Sequence, residues 1–247
     1  MLDFSDIQKL DTAVLTPGDV ARKVAELQSS INSSPAAFID CGSAFLSFGM
    51  LPEAWAAYSE AVTRDSESVK GFLGRAQAGY GLMLACEDEE RIATVSLQVA
   101  SDFRRVLKLT EGRSREAILG LGSVLLAANR FAECSNWIEE QLRDHHGDRN
   151  HEGDLLYLYA LCRLFAGDVD QAIEYADKMD RVAGFEGERF FICGFVSWLK
   201  RDHDQLVEYR AALLIRDAKL AQVLGLIEAG AKAETYLDLA RLLTLEM

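Results

Sequence analysis

The chain has 247 residues, of which 49% are hydrophobic, so it can bury a sizeable core and is not expected to be disordered. Acidic residues outnumber basic residues by 39 to 26, and the net charge of −13 disfavours nucleic acid and anionic lipid as partners. No apolar run approaches the roughly eighteen residues of a transmembrane helix, and the acidic start lacks the features of a secretory signal, so we expect a cytoplasmic protein without membrane insertion.

The pattern of apolar residues predicts short helices along almost the whole chain. Apolar residues recur three and four positions apart, and no stretch alternates with the period of two that a half-buried strand requires. Residues 1–34 predict two helices, with Thr16 as the N-cap of the second and Pro17 in its first turn. Many short helices in one chain are typical of repeat architectures.

The stretch AFIDCGSAFLSFGMLPEAWAAYSEAV predicts two antiparallel helices joined by a tight turn. Gly42 is small where the two helices must approach closely, and Gly49 can take the left-handed conformation that ends a helix. Pro52 suits the first turn of the second helix. In that helix, Ala54 is the small contact and Tyr58 is the large residue that fills the space beside it.

This segment resembles the tetratricopeptide repeat (TPR), a helical hairpin with a period of about 34 residues. The stretch YALCRLFAGDVDQAIEYADKM is a second copy, in which Ala160, Gly167 and Ala172 take the positions of Gly42, Gly49 and Ala54. Less regular copies place Ala76 one period after Gly42 and Gly194 one period after Ala160, and a further copy centres on Gly122. The resemblance covers roughly 35–220 and implies an all-α solenoid of antiparallel helix–turn–helix units.

We predict five units with the bounds 35–68, 69–114, 115–148, 153–186 and 187–220. The second is about twelve residues longer than the period of about 34, which predicts lengthened helix ends or an acidic connector around 86–97. In the third and fifth units, Asn129 and Arg201 replace the turn glycine, while Cys134 and Leu206 replace the alanine. Residues 221–247 predict a final helix pair that caps the array, so 1–247 is expected to be one domain.

Three of the four histidines lie in the stretch DHHGDRNHEGD, between the third and fourth units. A zinc site needs ligands that converge at about 2 Å, and nothing in the spacing of His145, His146 and His151 forces them together. A solvated connector is therefore the favoured interpretation of this stretch. A metal-dependent module that uses the His145–His151 loop is the less favoured one.

Motifs of catalysis and cofactor binding are lacking, since the chain has no GxGxxG, Walker A, HExxH or GxSxG sequence. We therefore expect a protein that is not an enzyme and that has no catalytic residue and no cofactor. The five cysteines form no CxxC pair, which favours small buried side chains over a metal site: Cys41, Cys86, Cys134, Cys162 and Cys193.

The family resemblance implies a concave groove, lined by the first helices of successive units, that binds a peptide or a partner helix. It places nine candidate partner-binding residues there: Tyr80, Leu126, Tyr157, Leu161, Leu164, Phe165, Phe191, Phe195 and Trp198. Only Lys70 is basic on this face, so the carboxylate clamp of the chaperone-binding members is not expected. An acidic protein with an aromatic groove better suits a partner with apolar anchors and basic flanks.

These expectations favour a non-catalytic scaffold, adaptor or chaperone that holds a partner polypeptide in its apolar groove. The alternative within interaction proteins is self-assembly into a homo-oligomer, either through the groove or through the C-terminal helices. The sequence leaves open whether the groove binds an extended peptide or a helix.

Overall fold

The computed structural model describes residues 34–144 and 151–244, together with Gly18, Asp19, Arg22, Ala25 and Glu26. The two long ranges contain twelve α-helices: α1 (Pro35–Ser47), α2 (Leu51–Arg64), α3 (Val69–Ala85), α4 (Glu89–Leu109), α5 (Arg115–Ala127), α6 (Phe131–Asp144), α7 (Glu152–Phe165), α8 (Val169–Lys178), α9 (Glu186–Lys200), α10 (His203–Arg216), α11 (Ala218–Glu228) and α12 (Tyr236–Thr244). A 3₁₀ turn, Met179–Arg181, follows α8, and the described residues contain no strand.

The helices pair as the sequence predicted, in five consecutive hairpins with short turns: α1–α2, α3–α4, α5–α6, α7–α8 and α9–α10. α7 begins at Glu152 and α9 at Glu186, each one residue before the predicted bound of its unit, and α11 and α12 follow as a final pair of helices. The all-α repeat fold is thereby confirmed. Thr16 and Pro17, the predicted start of an N-terminal helix, lie outside the described residues.

Two compact units make up the chain, residues 1–121 and 122–247, and the boundary between them falls within α5. In the first unit α1, α2 and α3 each pack on the next helix along the chain, and in the second unit α7 to α11 do the same. The expectation of a single domain over 1–247 stays a prediction. None of the helices in the described ranges combines the length and the apolar character that crossing a bilayer requires.

Tyr58 fills the space that small residues leave in the first unit. A Cβ atom added at Gly42 would lie 2.8 Å from the Tyr58 ring, and one added at Gly74 on α3 would lie 2.2 Å from it. The ring is buried, and the Tyr58 hydroxyl lies 3.0 Å from Ser43 Oγ, within hydrogen-bonding distance. The predicted roles of Gly42 and Tyr58 are therefore confirmed, because a larger residue at Gly42 would occupy the space of the tyrosine.

Four of the five hairpins share one turn geometry. Within two residues of the end of the first helix, the backbone is left-handed, with φ between 55° and 86° at Gly49, Asn129, Gly167 and Arg201. The next N–H donates to the carbonyl five residues earlier, at 2.8–2.9 Å, in the pairs Met50–Phe45, Arg130–Leu125, Asp168–Arg163 and Asp202–Ser197. This hydrogen bond is the mark of a Schellman motif, which satisfies the last carbonyls of a helix. The third and fifth hairpins, which lack the turn glycine, thus keep the same turn geometry.

The second hairpin accommodates its additional residues by lengthening both helices. α3 has 17 residues and α4 has 21, and only Cys86–Asp88 connect them. Asp88 caps α4, because its carboxylate accepts hydrogen bonds from the N–H groups of Glu90 and Arg91. Of the two alternatives for 86–97, lengthened helices are confirmed.

Candidate functional site

The first helices of the third, fourth and fifth hairpins bring part of the predicted groove together. Phe165 on α7 contacts Phe195 on α9, with ring centroids 5.8 Å apart, and Phe195 contacts Trp198 at 5.4 Å. Phe191, about one turn before Phe195, extends the same cluster at 6.2 Å. We define the inner face as the surface of α5, α7 and α9 that carries Ser123, Tyr157, Phe165, Phe195 and Trp198.

The predicted groove residues differ in their exposure to solvent. Five are buried, none more than 4% exposed: Leu126, Leu161, Leu164, Phe191 and Phe195. Tyr157, Phe165 and Trp198 are half-buried on the inner face, and Tyr80 is half-buried on α3 in the first unit. The sequence predicted an apolar lining at all nine positions, whereas packing between helices encloses five of these side chains. Partner binding by the nine residues stays a prediction.

The first residue of the C-terminal helix, α12, contacts the inner face. The ring of this residue, Tyr236, is nearly perpendicular to that of Phe165, with centroids 5.8 Å apart and planes at 85°. The Tyr236 hydroxyl donates a hydrogen bond to Ser123 Oγ on α5 at 3.0 Å. Tyr236 is buried, and so is Leu239 on the next turn. Sequence reasoning missed these contacts, because Ser123 and Tyr236 are 113 positions apart and no local pattern joins them.

Solved structures are similar to this chain at low sequence identity. The structure of Pseudomonas aeruginosa pilF is 15% identical, with a TM-score of 0.53, and the match covers 91% of this chain and 93% of that chain. TTC0263, a TPR protein from Thermus thermophilus, is 19% identical at a TM-score of 0.48, with coverage of 80% and 88%. YrrB, described as a TPR protein with an unusual peptide-binding site, is 14% identical at 0.46, with coverage of 82% and 95%.

The chain has a TPR-like fold. The five consecutive hairpins and the fold-level similarity to the pilF structure agree on this point. No protein-family model and no curated protein matches the sequence.

A capping box begins α12 within the TPR-like fold. Asp238 Oδ2 accepts hydrogen bonds from the N–H and the hydroxyl of Thr235, at 3.1 and 2.9 Å, and the N–H of Asp238 donates to Thr235 Oγ1 at 3.2 Å. This reciprocal pairing satisfies donors that a helix start leaves without partners. The spacing Thr–x–x–Asp is a sequence signal for this helix start, although it gives no indication of where the helix docks.

The environment of Tyr157 is apolar and acidic. Although its side chain as a whole is half-buried, the phenol end lies among protein atoms, and burial raises the pKa of Tyr157 above the ordinary value. Tyr236, Glu188 and Asp217 raise it further, because negative charge on any of them opposes ionisation of the phenol. The hydroxyl therefore remains neutral.

The histidine-rich connector is described only at its edges. α6 ends at Asp144, His145 and His146 lie outside the described residues, and His151 immediately precedes α7. The Nδ1 atom of His151 lies 3.8 Å from Asp154 Oδ2, which makes a histidine–carboxylate pair. No group of three metal-ligating side chains occurs within the part of the chain that the structure describes. The metal hypothesis for the His145–His151 loop thus stays a prediction.

The cysteines take structural positions between helices. Cys41, Cys134, Cys162 and Cys193 are buried, and Cys86 is half-buried. Cys134, which replaces the repeat alanine, is enclosed between α5 and α6, with its sulfur 3.9 Å from the carbonyl oxygen of Gly122. Its hydrogen bond with Cys162 and its burial raise the pKa of the Cys134 thiol, which therefore stays protonated. This agrees with the interpretation of the cysteines as small buried side chains.

Proposed function

We propose that this TPR-like chain is a non-catalytic protein-interaction module whose inner face binds a segment of a partner polypeptide. The observation that carries the proposal is the connected aromatic surface of α7 and α9, where Phe165 and Trp198 remain half-buried. Aromatic side chains in such clusters supply much of the binding energy at protein interfaces. Scaffold, adaptor and chaperone roles in the cytoplasm are all forms of this one activity.

Charge favours a partner with basic residues beside its apolar anchor. Glu188 on α9 and Asp217 after α10 lie near the Tyr157 phenol, and the whole chain carries a net charge of −13. Carboxylates near an apolar anchor site attract Lys and Arg residues and speed the encounter. We therefore expect the affinity to fall as the salt concentration rises.

Phage display against the purified full-length protein tests the proposal, because it selects binding peptides from random sequences and needs no identified partner. We expect the selected peptides to carry a large apolar residue beside Lys or Arg. Trp198→Ala and, separately, Phe165→Ala should weaken their binding at least about tenfold, because truncation of an anchor residue typically costs about 2 kcal/mol or more. Phe191 is fully buried, so alanine at that position would report on folding instead.

Leu97→Ala is the matched control, since it removes an exposed apolar side chain from α4 in the first unit. It should leave the affinity unchanged, and circular dichroism should show native helix content for all three variants. Selected peptides that bind Trp198→Ala and Phe165→Ala as tightly as the wild type would contradict the proposed site.

An exposed apolar row on α10 favours a second candidate function, self-association. Val207 and Leu214 are 56% and 63% exposed, and Ile215 is 85% exposed. Residues seven apart lie on the same side of a helix, so Val207 and Leu214 form one stripe that a second copy of α10 would cover. Sedimentation of the wild type and of Leu214→Glu over a concentration range tests this idea. A wild-type protein that stays monomeric at high concentration excludes it.

A further inference from the structure

The C-terminal helix demonstrates the kind of ligand that the inner face accommodates. α12 buries Tyr236, Leu239 and Ala240, and Leu243 is half-buried on the same side. These positions follow the spacing i, i+3, i+4 and i+7, which is the spacing of anchors in a helix that lies in a groove. The first of these positions, Tyr236, lies on the inner face against Phe165 and Ser123.

The hydrogen bonds at both ends of the connector between α11 and α12 are local, so they do not depend on contact between α12 and the inner face. α11 closes its own C-terminus through Gly230, whose φ is +98°, and through the Ala231 N–H, which donates to the Leu226 carbonyl at 2.9 Å. The capping box of α12 lies within Thr235–Asp238. Lys232 and Glu234 in the connector are exposed. Release of α12 from the inner face thus breaks side-chain contacts but no backbone hydrogen bond of α11.

Release would break specific contacts with the inner face. They include the Tyr236 hydroxyl bond to Ser123 and the ring contact with Phe165. A polypeptide that offers the same contacts can replace α12 at no cost in newly exposed surface on the inner face. Such a polypeptide needs an aromatic hydroxyl for Ser123 and aliphatic side chains three, four and seven positions later.

We propose that α12 is a built-in competitor, and that the partner binds the inner face as an amphipathic helix with a tyrosine as its first anchor. This inference rests on the proposed function of the inner face, because it names the form of the partner and the segment that the partner displaces. The apparent affinity for such a partner is the intrinsic affinity reduced by the fraction of molecules in which α12 has left. Loosening α12 therefore tightens partner binding.

A fluorescein-labelled peptide with the sequence of residues 233–247 serves as the probe, with full-length protein in every arm of the experiment. Tyr236→Ala removes the first anchor from the chain's own helix but leaves it in the peptide. We expect fluorescence anisotropy to show that this variant binds the peptide at least about tenfold more tightly than the wild type, because its inner face is open in a larger fraction of molecules.

Two further variants keep the test informative. Tyr236→Phe removes only the hydroxyl, so it should fold as the wild type does and raise the peptide affinity about fivefold, the effect of one hydrogen bond. Ser123→Ala removes the acceptor for the chain's own helix and for the peptide alike, so it should not raise the affinity. Circular dichroism establishes that each variant is folded, and Tyr236→Phe decides the outcome if Tyr236→Ala loses helix content.

Equal and measurable affinity of the wild type and both Tyr236 variants would overturn the displacement of α12, yet it would leave the inner face as a binding surface. A peptide that binds none of the folded variants would also overturn the inference, because the inner face would then not recognise the α12 sequence in trans. The display-selected peptides and Trp198→Ala report separately on whether the inner face binds a partner at all.

Discussion

The first and the fifth hairpins close in the same way with different residues. After α1 the left-handed position is Gly49, which adopts φ of 70° without steric cost, whereas after α9 it is Arg201, at φ of 59°. The hydrogen bonds from Met50 to Phe45 and from Asp202 to Ser197 are both 2.9 Å long. The geometry of the turn is therefore set by the helices that it joins, and glycine only lowers the energy of the conformation.

The two hairpins also fill their interiors differently. In the first, Tyr58 occupies the space beside Gly42 and Gly74, while in the fifth Gly194 is met by Leu224 from α11, at 2.6 Å from an added Cβ atom. A small residue faces a large one in both cases. The large residue comes from the second helix of the same hairpin in the first case and from the helix after the hairpin in the other. What the TPR-like fold requires is a complementary pair of sizes, which several sequences can supply.

The largest effect is expected from removal of the Tyr58 side chain. Tyr58→Ala should lower the free energy of unfolding by about 3–5 kcal/mol, because it leaves a cavity beside two glycines that cannot fill it. Tyr58→Phe should cost only about 1 kcal/mol, through loss of the hydrogen bond with Ser43. Urea denaturation followed by circular dichroism measures both values. Similar losses for the two variants would show that the hydroxyl, rather than the ring volume, holds the first hairpin.

The next largest effects are expected from adding one methyl group at a glycine, with opposite signs beside Tyr58 and on α11. Gly74→Ala places a Cβ atom 2.2 Å from the Tyr58 ring, so we expect a loss of about 1–3 kcal/mol. Gly225→Ala on α11 has only Arg210 Nη1 within reach, at 3.9 Å, and should gain about 0.5–1 kcal/mol from the higher helix propensity of alanine. Opposite signs in the same denaturation measurement would confirm the difference. A stabilising Gly74→Ala would contradict the tight fit of Tyr58.

Exchanges at the turns should have the smallest effects, with opposite signs. Gly49→Ala should destabilise the chain by about 1 kcal/mol, and Arg201→Gly should stabilise it by about the same amount, because only glycine adopts a left-handed backbone without strain. Asn129→Gly should stabilise less than Arg201→Gly, since asparagine tolerates this conformation better than other residues. Midpoints of thermal unfolding measure all three variants. A destabilising Arg201→Gly would indicate that the arginine side chain contributes contacts of its own.

The sequence was sufficient where the signal is local and repeated. The helical hairpins followed from apolar periodicity and the turn residues, and the Gly42–Tyr58 contact followed from the repeat pattern. The inner face was predictable as a set of positions on the first helices. The sequence could not predict which of these side chains are buried, because the burial of Phe191 and Phe195 depends on neighbouring helices. It also could not predict the contact of Tyr236 with Ser123, which joins distant parts of the chain.

The length of α12 makes its docking sensitive to temperature. The helix spans nine residues, whereas isolated helices shorter than about 12–15 residues are marginal in water, so the segment loses its order when it leaves the inner face. Each residue that becomes disordered regains conformational entropy worth about 1–2 kcal/mol at room temperature, and this contribution grows on heating. Warming should therefore expose the inner face well before the two units unfold, and a peptide that competes with α12 should find more open molecules in warm solution than in cold.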